Sequence, residues 1–388
     1  MKKLAIISTH PIQYNAPLFR LLAQSGSIHP RVFYTWEQSG KGAKYDPGFG
    51  KKIEWDIPLL DGYEFEFVKN IAEDPGTQHF KGMINPGLNK VIEAWKPDAL
   101  LVYGWSYDSH LKAIRHFHGR IPVLFRGDST LLNEAPGIRR MMRRLFLTWV
   151  YRHVDYALYV GTNNKAYYLK HGMKERQLVL APHAVDNDRF AGQDSERRQE
   201  AAEWKRQLGI KDNALVVLYA GKLETVKDPA FIVGLAEKWK DLPINIVVVG
   251  NGHLEAELKE RAKGLPNILF LDFQNQSRMP VVYRLADIFI LSSRSETWGL
   301  GANEAMACGC GLMLSSQVGG AVDLVLEGVN GIVFPIGDYE KCTNFVRDLL
   351  AEPGRLDKIK TASREHVYQR FSFQGVVRSV EELCNGII

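Results

Sequence analysis

The sequence predicts an α/β protein made of two Rossmann-like parallel-sheet domains facing a cleft. Three observations lead there. Short apolar runs rich in β-branched and aromatic residues alternate with helical patterns along the whole chain, which is the signature of βαβ units. The runs are continuously apolar rather than alternating, so their strands are buried on both faces and need helices on both sides. A charged, strand-free stretch from Asp186 to Asp212 divides the runs into two sets.

In the first set the strands are LAIIS, RVFYT, EFEFV, ALLVYG, IPVLFRG, YALYVG and LVLAPHAV. In the second they are LVVLYAG, INIVVVG, ILFLDF, IFILSS, GLMLSS and GIVFP, separated by helical segments such as HLEAELKERAKGL. The linker is expected near Val185 to Gly192, with a helix opening the second half. The domains are therefore expected at 1–187 and 188–365. Residues 366–388 form a C-terminal helical segment, broken at Ser372, that is expected to pack back on the first domain.

Bulk composition narrows the classes. With 388 residues, 45% hydrophobic and 24% charged, the chain can bury two sizeable cores. A net charge of +5 suits a protein that handles phosphates or rests on an anionic surface, and is too small to argue for a nucleic-acid partner. Cys308, Cys310, Cys342 and Cys384 lack metal-type spacing and read as buried, reduced thiols of a cytoplasmic protein. MKKLAIISTHP has too short an apolar run for a signal peptide and reads as a first strand. No uncharged stretch approaches the roughly 18 residues of a membrane span.

Candidate ligand contacts in the first half follow strand ends, where open α/β sheets bind ligands. After the first strand come His10, Gln13, Tyr14 and Asn15; Asn15 would serve equally as a helix cap, with Pro17 in the first turn. The insertion from Trp36 to Val68 carries Trp36, Tyr45, Phe49, Trp55, Tyr63, Phe65 and Phe67, suited to a sugar ring, a lipid or a core. IPVLFRGDS delivers Arg126, Asp128 and Ser129. Asp128 is a candidate base or hydroxyl ligand and Arg126 a candidate partner for phosphate, with helix capping by Asp128 or Ser129 as the alternative. Arg139, Arg140, Arg143 and Arg144 share a helix face beside Leu145, Phe146, Trp149 and Val150. That pattern fits a helix lying on an anionic membrane, and fits better a solvated basic face over a buried apolar one.

The second half carries a phosphate-type loop, AGKLETVKDP. Gly221, Lys222 and Lys227 lie between a strand and a helix, where a close backbone, two cations and helix N–H groups suit a diphosphate. Gly250 and Gly252 follow the next strand. With Asp272 beyond them they suggest a dinucleotide fingerprint, but Glu255 stands at its third glycine position. SETWGLGANEAMACG, residues 295–309, then places Glu296 and Glu304 with seven residues between them. The pair could serve hydrolysis, but the phosphate-type loops argue against a glycosidase.

AGKLETVKDP, VVVGNGHLE, LADIFILSSRSETWGLGANEAMACG and VGGAVDLVLEGVNGIVFP, in this order, resemble the retaining GT-B glycosyltransferases of family 4 (glycosyl transferases group 1). APHAVDNDRF is similar to that family's interdomain element, with His183 and Ala184 at its Asn-Gly positions. The resemblance implies a nucleotide-sugar donor on the second domain, UDP being the commonest base and GDP the alternative. It implies that Glu304 holds ribose hydroxyls and Glu296 the donor sugar. Trp298, Gly299, Leu300 and Gly301 would line the diphosphate or sugar, Lys222 and Lys227 would pair with the diphosphate, and Gly221, Gly250 and Gly252 would border the donor.

Lys222 replaces a more usual arginine, and Gly311 a more usual proline. The first-domain histidine common near the donor sugar is not supplied by RGDS. Arg126, Asp128 or His10 would take its catalytic place beside Glu296, while Gln13, Tyr14 and Asn15 would contact the acceptor. The implied reaction is glycosyl transfer with retention to a hydroxyl of a glycan, a lipid-linked glycan or a small molecule. It would need no metal or other cofactor, and would run in the cytoplasm or at the inner face of the membrane. A nucleotide-sugar epimerase and a non-catalytic sugar-nucleotide or glycan-binding protein are the alternatives.

Overall fold

The computed structural model describes residues 1–37, 44–46, 51–134 and 136–387. Phe49 of the aromatic insertion lies outside them.

The first seven large strands form one parallel sheet. They are β1 (Lys2–Ser8), β2 (Ile28–Tyr34), β5 (Glu64–Phe67), β6 (Ala99–Tyr103), β7 (Val123–Arg126), β8 (Tyr156–Tyr159) and β9 (Leu178–Leu180), in the order β5-β2-β1-β6-β7-β8-β9. The short β3 (Lys44–Asp46) and β4 (Lys51–Ile53) pair separately. The second parallel sheet holds β10 (Leu215–Ala220), β11 (Ile244–Val249), β12 (Ile268–Leu271), β13 (Ile288–Leu291), β14 (Gly311–Ser315) and β15 (Gly331–Phe334). Its order is β12-β11-β10-β13-β14-β15. Central strands are buried along their length, as their uninterrupted apolar runs require: Ala5, Ile6 and Ile7 in one sheet, Val216, Val217 and Leu218 in the other.

In both sheets the strand order reverses next to the first strand. The reversal falls between β1 and β6 in one sheet and between β10 and β13 in the other. Helices leave in opposite directions at such a point and open a crevice at the carboxyl ends of the strands. This fixes where each half can hold a ligand.

Two compact units result. One comprises Met1–Lys44, Ile57–His183 and Phe373–Ile388; the other comprises Tyr45–Asp56 and Ala184–Ser372. The helix Phe373–Ile387 belongs to the first unit because Phe373, Val376, Val380 and Leu383, spaced three and four apart, give it one apolar face. Residues 366–372 stay with the second unit, where Asn187 donates to the Phe371 carbonyl at 2.9 Å. The short excursion in the first half joins the second unit through hydrogen bonds. Asn275 donates to the Glu54 carbonyl at 2.6 Å and the Ser277 N–H to Asp56 at 3.1 Å, while Trp55 meets Phe273 edge-on. Of the other aromatics in the insertion, Tyr63 is a core residue hydrogen-bonded to Tyr34, while Phe65 is 38% exposed. All four cysteines are buried, free thiols.

The helix Ile138–Tyr151 departs from the expected solvated basic face over a buried apolar one. Leu147, Val150 and Tyr151 are buried, but Leu145 is 67% and Phe146 41% exposed, with Ile138, Met141 and Met142 at 70%, 57% and 63%. One stripe anchors the helix, and a second apolar stripe points outward among the arginines.

Candidate active site

In the second unit the candidate residues gather at the carboxyl edge, around the reversal between β10 and β13. Backbone proximity builds the edge. The Gly221 N–H donates to the Val249 carbonyl at 3.0 Å, and the Leu223 N–H to that of Asn251 at 3.0 Å. Gly250 has φ +134°, and a Cβ there would lie 2.1 Å from the Gly221 oxygen; one on Gly252 would lie 2.4 Å from the Leu223 oxygen. Only glycine lets these two loops run so close. Asn251, buried beside them, donates to Asp272 and Glu255 and accepts from the Phe273 N–H. Asp272 is thereby tied into the loop packing.

Charge enters where β10 and β13 end. Lys227, on the turn before the helix Pro229–Lys238, pairs with Glu296 after β13. The Ser292 hydroxyl holds the carbonyls of Lys227 and Asp228 at 3.0 and 2.9 Å, and Arg294 pairs with Asp228 at 2.9 Å. Lys222 lies half-buried in the same loop, next to Gly221. Thus Lys227 and Glu296, 69 positions apart, meet at the reversal of the sheet.

Gly299 then takes a left-handed conformation, φ +98°, and opens the helix Leu300–Ala307. A Cβ on it would stand 3.0 Å from both Leu291 and Val318. Gly301 lies over the Phe289 ring, which a Cβ would approach to 3.2 Å. The N-terminal N–H groups of this helix form a partial positive charge at the edge. The segment before the helix is pinned, since the Gly319 N–H donates to the Glu296 carbonyl and the Gly320 N–H to that of Trp298. Trp298 is buried and its indole N–H donates to Asn303 at 2.9 Å. Glu304 is 2% exposed, with the Tyr283 hydroxyl donating to it at 2.7 Å. A buried carboxylate held in this way is a fixed acceptor for hydroxyl groups.

In the first unit the candidates lie at the carboxyl edge of the other sheet. His10 follows β1, contacts the Thr9 hydroxyl at 3.0 Å and meets the edge of Trp36. Gln13, Tyr14 and Asn15 form the half-buried turn after it, and Asn15 makes no side-chain cap bond to the helix Ala16–Gln24. Beneath them His110 is buried, its Nδ1 against the carbonyls of Tyr103 and Gly104 and its Nε2 against Thr35. Burial pushes its pKa down to about 4.

Arg126 corrects an expectation. It is 5% exposed, and its guanidinium donates to the carbonyls of Ala181 and Pro182 at 2.6 and 3.2 Å. It therefore braces the loop after β9 rather than presenting its charge to a phosphate. No helix follows β7 among the described residues before Ile138, so Asp128 and Ser129 cap none. The braced loop brings His183 to 3.7 Å from Asp128. Burial lowers the His183 pKa against the raising effect of Asp128, so the imidazole is held neutral. In the sequence His183 stood out only as a position in an interdomain element. The pairing needs β7, β8 and β9 side by side, and no local motif announces it.

The architecture, two parallel-sheet α/β units, is that of the GT-B glycosyltransferases. The Anabaena protein HepE, solved with UDP, superposes with a TM-score of 0.73 at 18% identity over 100% of both chains. Sucrose-phosphate synthase from Thermosynechococcus elongatus gives 0.73 at 19% identity over 100% of this chain and 99% of its own.

In sequence, residues 200–366 match the family model of glycosyl transferases group 1. A D-inositol 3-phosphate glycosyltransferase of Geodermatophilus obscurus is 30% identical over 224 residues, 54% of this chain and 47% of its own. An uncharacterized glycosyltransferase of Methanocaldococcus jannaschii is 26% identical over 46% of this chain and 47% of its own. The chain thus spans about half the length of the curated relatives it matches, and the family model falls within the second unit.

Proposed function

We propose that the protein transfers a glycosyl group, with retention, from a nucleotide diphosphate sugar to a hydroxyl of a glycan or lipid-linked acceptor. The observation that carries this reading is the Lys227–Glu296 pair at the β10/β13 reversal, beside the helix that holds Glu304. Lys222, Lys227 and the N–H groups after Gly299 would stabilise the charge growing on the departing diphosphate, an electrostatic task for preorganised donors. Glu304 would accept from the ribose hydroxyls and Glu296 from the sugar, Lys227 exchanging part of its pairing with Glu296 for the phosphate. The bond from anomeric carbon to diphosphate oxygen breaks, the bond to the acceptor oxygen forms, and the acceptor proton passes to the leaving phosphate. His183 and Asp128, with His10, would orient the acceptor hydroxyl on the first unit. UDP is the nucleotide favoured by the HepE complex.

The test is incubation with UDP- and GDP-sugars and a panel of acceptors, followed by NMR of the product's anomeric proton. A product linked to acceptor with the donor's anomeric configuration supports the reading. An altered free donor would mean epimerisation, and binding without turnover a non-catalytic protein; either overturns it.

The outward stripe of the helix Ile138–Tyr151 bears on the acceptor. Apolar side chains at 138, 141, 142 and 145 recur three and four apart on one face, with Arg139, Arg140 and Arg143 exposed beside them. An exposed apolar stripe flanked by cations suits the headgroup boundary of an anionic bilayer. No helix among the described residues is long and apolar enough to cross a membrane. We therefore assign this face to peripheral contact with such a bilayer, which favours a lipid-linked acceptor. Co-sedimentation with phosphatidylglycerol vesicles but not phosphatidylcholine vesicles, lost in Met141→Glu/Leu145→Glu, is the expected result. Equal binding by that variant, or a dimer that it dissociates, would overturn the assignment.

A further inference from the structure

The second sheet has an opposite edge, and that edge carries a cavity with an unusual charge. Asp287 precedes β13 and Gly309 precedes β14, so both lie at the amino ends of the strands, away from Lys227 and Glu296. A cavity of about 200 Å³ opens there, many times the ~10–15 Å³ that one water needs. Arg198, Lys205, Arg284, Lys360 and Arg364 line it, with Asp287 as the lining carboxylate. They come from three helices, Asp194–Gln207, Met279–Arg284 and Arg355–Arg370.

The carboxylates do not balance these cations. Asp287 pairs with Lys360 at 2.5 Å, while its other oxygen accepts from the Val216 N–H at 2.8 Å. Behind the wall Asp194 is shared by Arg198 at 2.6 Å and Arg284 at 2.9 Å. Five cations against two carboxylates leave three positive charges in one concavity. Nearby, the Arg197 guanidinium is pushed below its ordinary value by burial first and by the charge of Arg284 next. Cys308 adds no negative charge, because burial pushes its thiol up.

The wall also divides into fixed and available donors. The Arg284 side chain is 1% exposed and bonded to the carbonyls of Phe190, Pro280 and Ala191 besides Asp194. Among the described residues, Arg364 reaches the Cys308 carbonyl at 3.3 Å and Asp194 at 4.0 Å. Lys205 takes no carboxylate or carbonyl partner among the described residues. A doubly charged oxyanion here would meet a fixed field and at least two cations able to turn toward it.

We propose that this cavity is a second anion site, separate from the donor edge, that binds a phosphate dianion, either free or as a phosphomonoester. The helix Leu300–Ala307 runs from the donor edge to this cavity, with Glu304 in its last turn and the Cys308 carbonyl, which holds Arg364, just beyond. Occupancy at one end is thereby in contact with the element that carries the other.

The proposal does not depend on the glycosyl-transfer reading. Inorganic phosphate is titrated into the full chain by calorimetry at ionic strength held constant with chloride, and glucose 6-phosphate is titrated in parallel. Lys205→Gln should weaken the anion at least about tenfold, whereas Lys205→Arg and the donor-edge variant Lys227→Ala should bind it as the wild type does. The tighter of the two probes then identifies the free ion or the phosphomonoester as the source. Absence of binding up to ~10 mM phosphate, about 2.7 kcal/mol of free energy, overturns the proposal. So does binding unchanged in Lys205→Gln or abolished in Lys227→Ala.

Discussion

The carboxyl edges of the two sheets share a topology and are built from different materials. At the second edge the backbone does the shaping. Gly250, Gly252, Gly299 and Gly301 let loops and a helix start approach closely, and the side chains of Lys227, Glu296 and Glu304 add charge to that frame. At the first edge side chains do the shaping: His10, His110, Asp128, Arg126 and His183 contact hydroxyls, carbonyls and one another. A backbone frame suits a ligand part that does not vary, as a diphosphate does. A side-chain frame is easily altered by substitution and suits the partner that differs from one enzyme to the next.

If the backbone shapes the second edge, a single methyl group should damage it most. Gly250→Ala is expected to cost about 3 kcal/mol or more, from both positive φ and a Cβ 2.1 Å from the Gly221 oxygen, seen as a lowered urea midpoint. A change under 1 kcal/mol would dissolve the contrast.

The first edge should instead be the acid-labile one. His110 has an unfolded pKa near its ordinary value and a folded one of about 4, so the unfolded chain binds the proton first as pH falls. Stability is full above about pH 6.5 and declines by up to ~3 kcal/mol as pH drops toward 4. Urea unfolding at stepped pH should show the decline in the wild type and a smaller one in His110→Gln.

Next in size, Glu304→Ala and Lys227→Ala should each weaken UDP-sugar binding by ~2 kcal/mol, about 30-fold, with the fold intact by circular dichroism. Unchanged donor affinity in both, by calorimetry, would move the donor site elsewhere. His183→Gln should lower kcat about tenfold while leaving donor affinity as it is, since the residue belongs to the other unit. The smallest effect is expected at Asn15. It makes no cap bond, so Asn15→Ala should shift stability by less than ~0.5 kcal/mol, and any larger loss in acceptor KM would mark it as a contact.

Legibility followed the same division. The second edge could be read because each of its pieces is a contiguous strand, glycine-bearing turn and helix start, in which residue type reports local backbone need. Glu296 and Glu304 were visible within one stretch, and Lys227 within another. What could not be read was that Lys227 pairs with Glu296, which depends on which strands are neighbours, or that Tyr283 holds Glu304, which depends on how the helices flanking β13 pack. Arg126 shows the limit most clearly. Its position at a strand end promised a ligand contact, and tertiary burial turned it into a brace for Ala181 and Pro182. The helix from Ile138 to Tyr151 was read correctly in period, but its outward apolar stripe emerged only once Leu147, Val150 and Tyr151 had taken the inward face.

The sequence by itself determined the strands of the two large sheets, the burial of the central ones on both faces and the division into two sheets, because these follow from the period and continuity of apolar residues along the chain; the edge strands β5 and β9 are partly exposed. Tertiary structure alone decided the Lys227–Glu296 pair, the His183–Asp128 approach, the excursion at Tyr45–Asp56 and the five-cation cavity. Each joins residues distant in sequence through the lateral order of strands and helices, and no local pattern encodes that order.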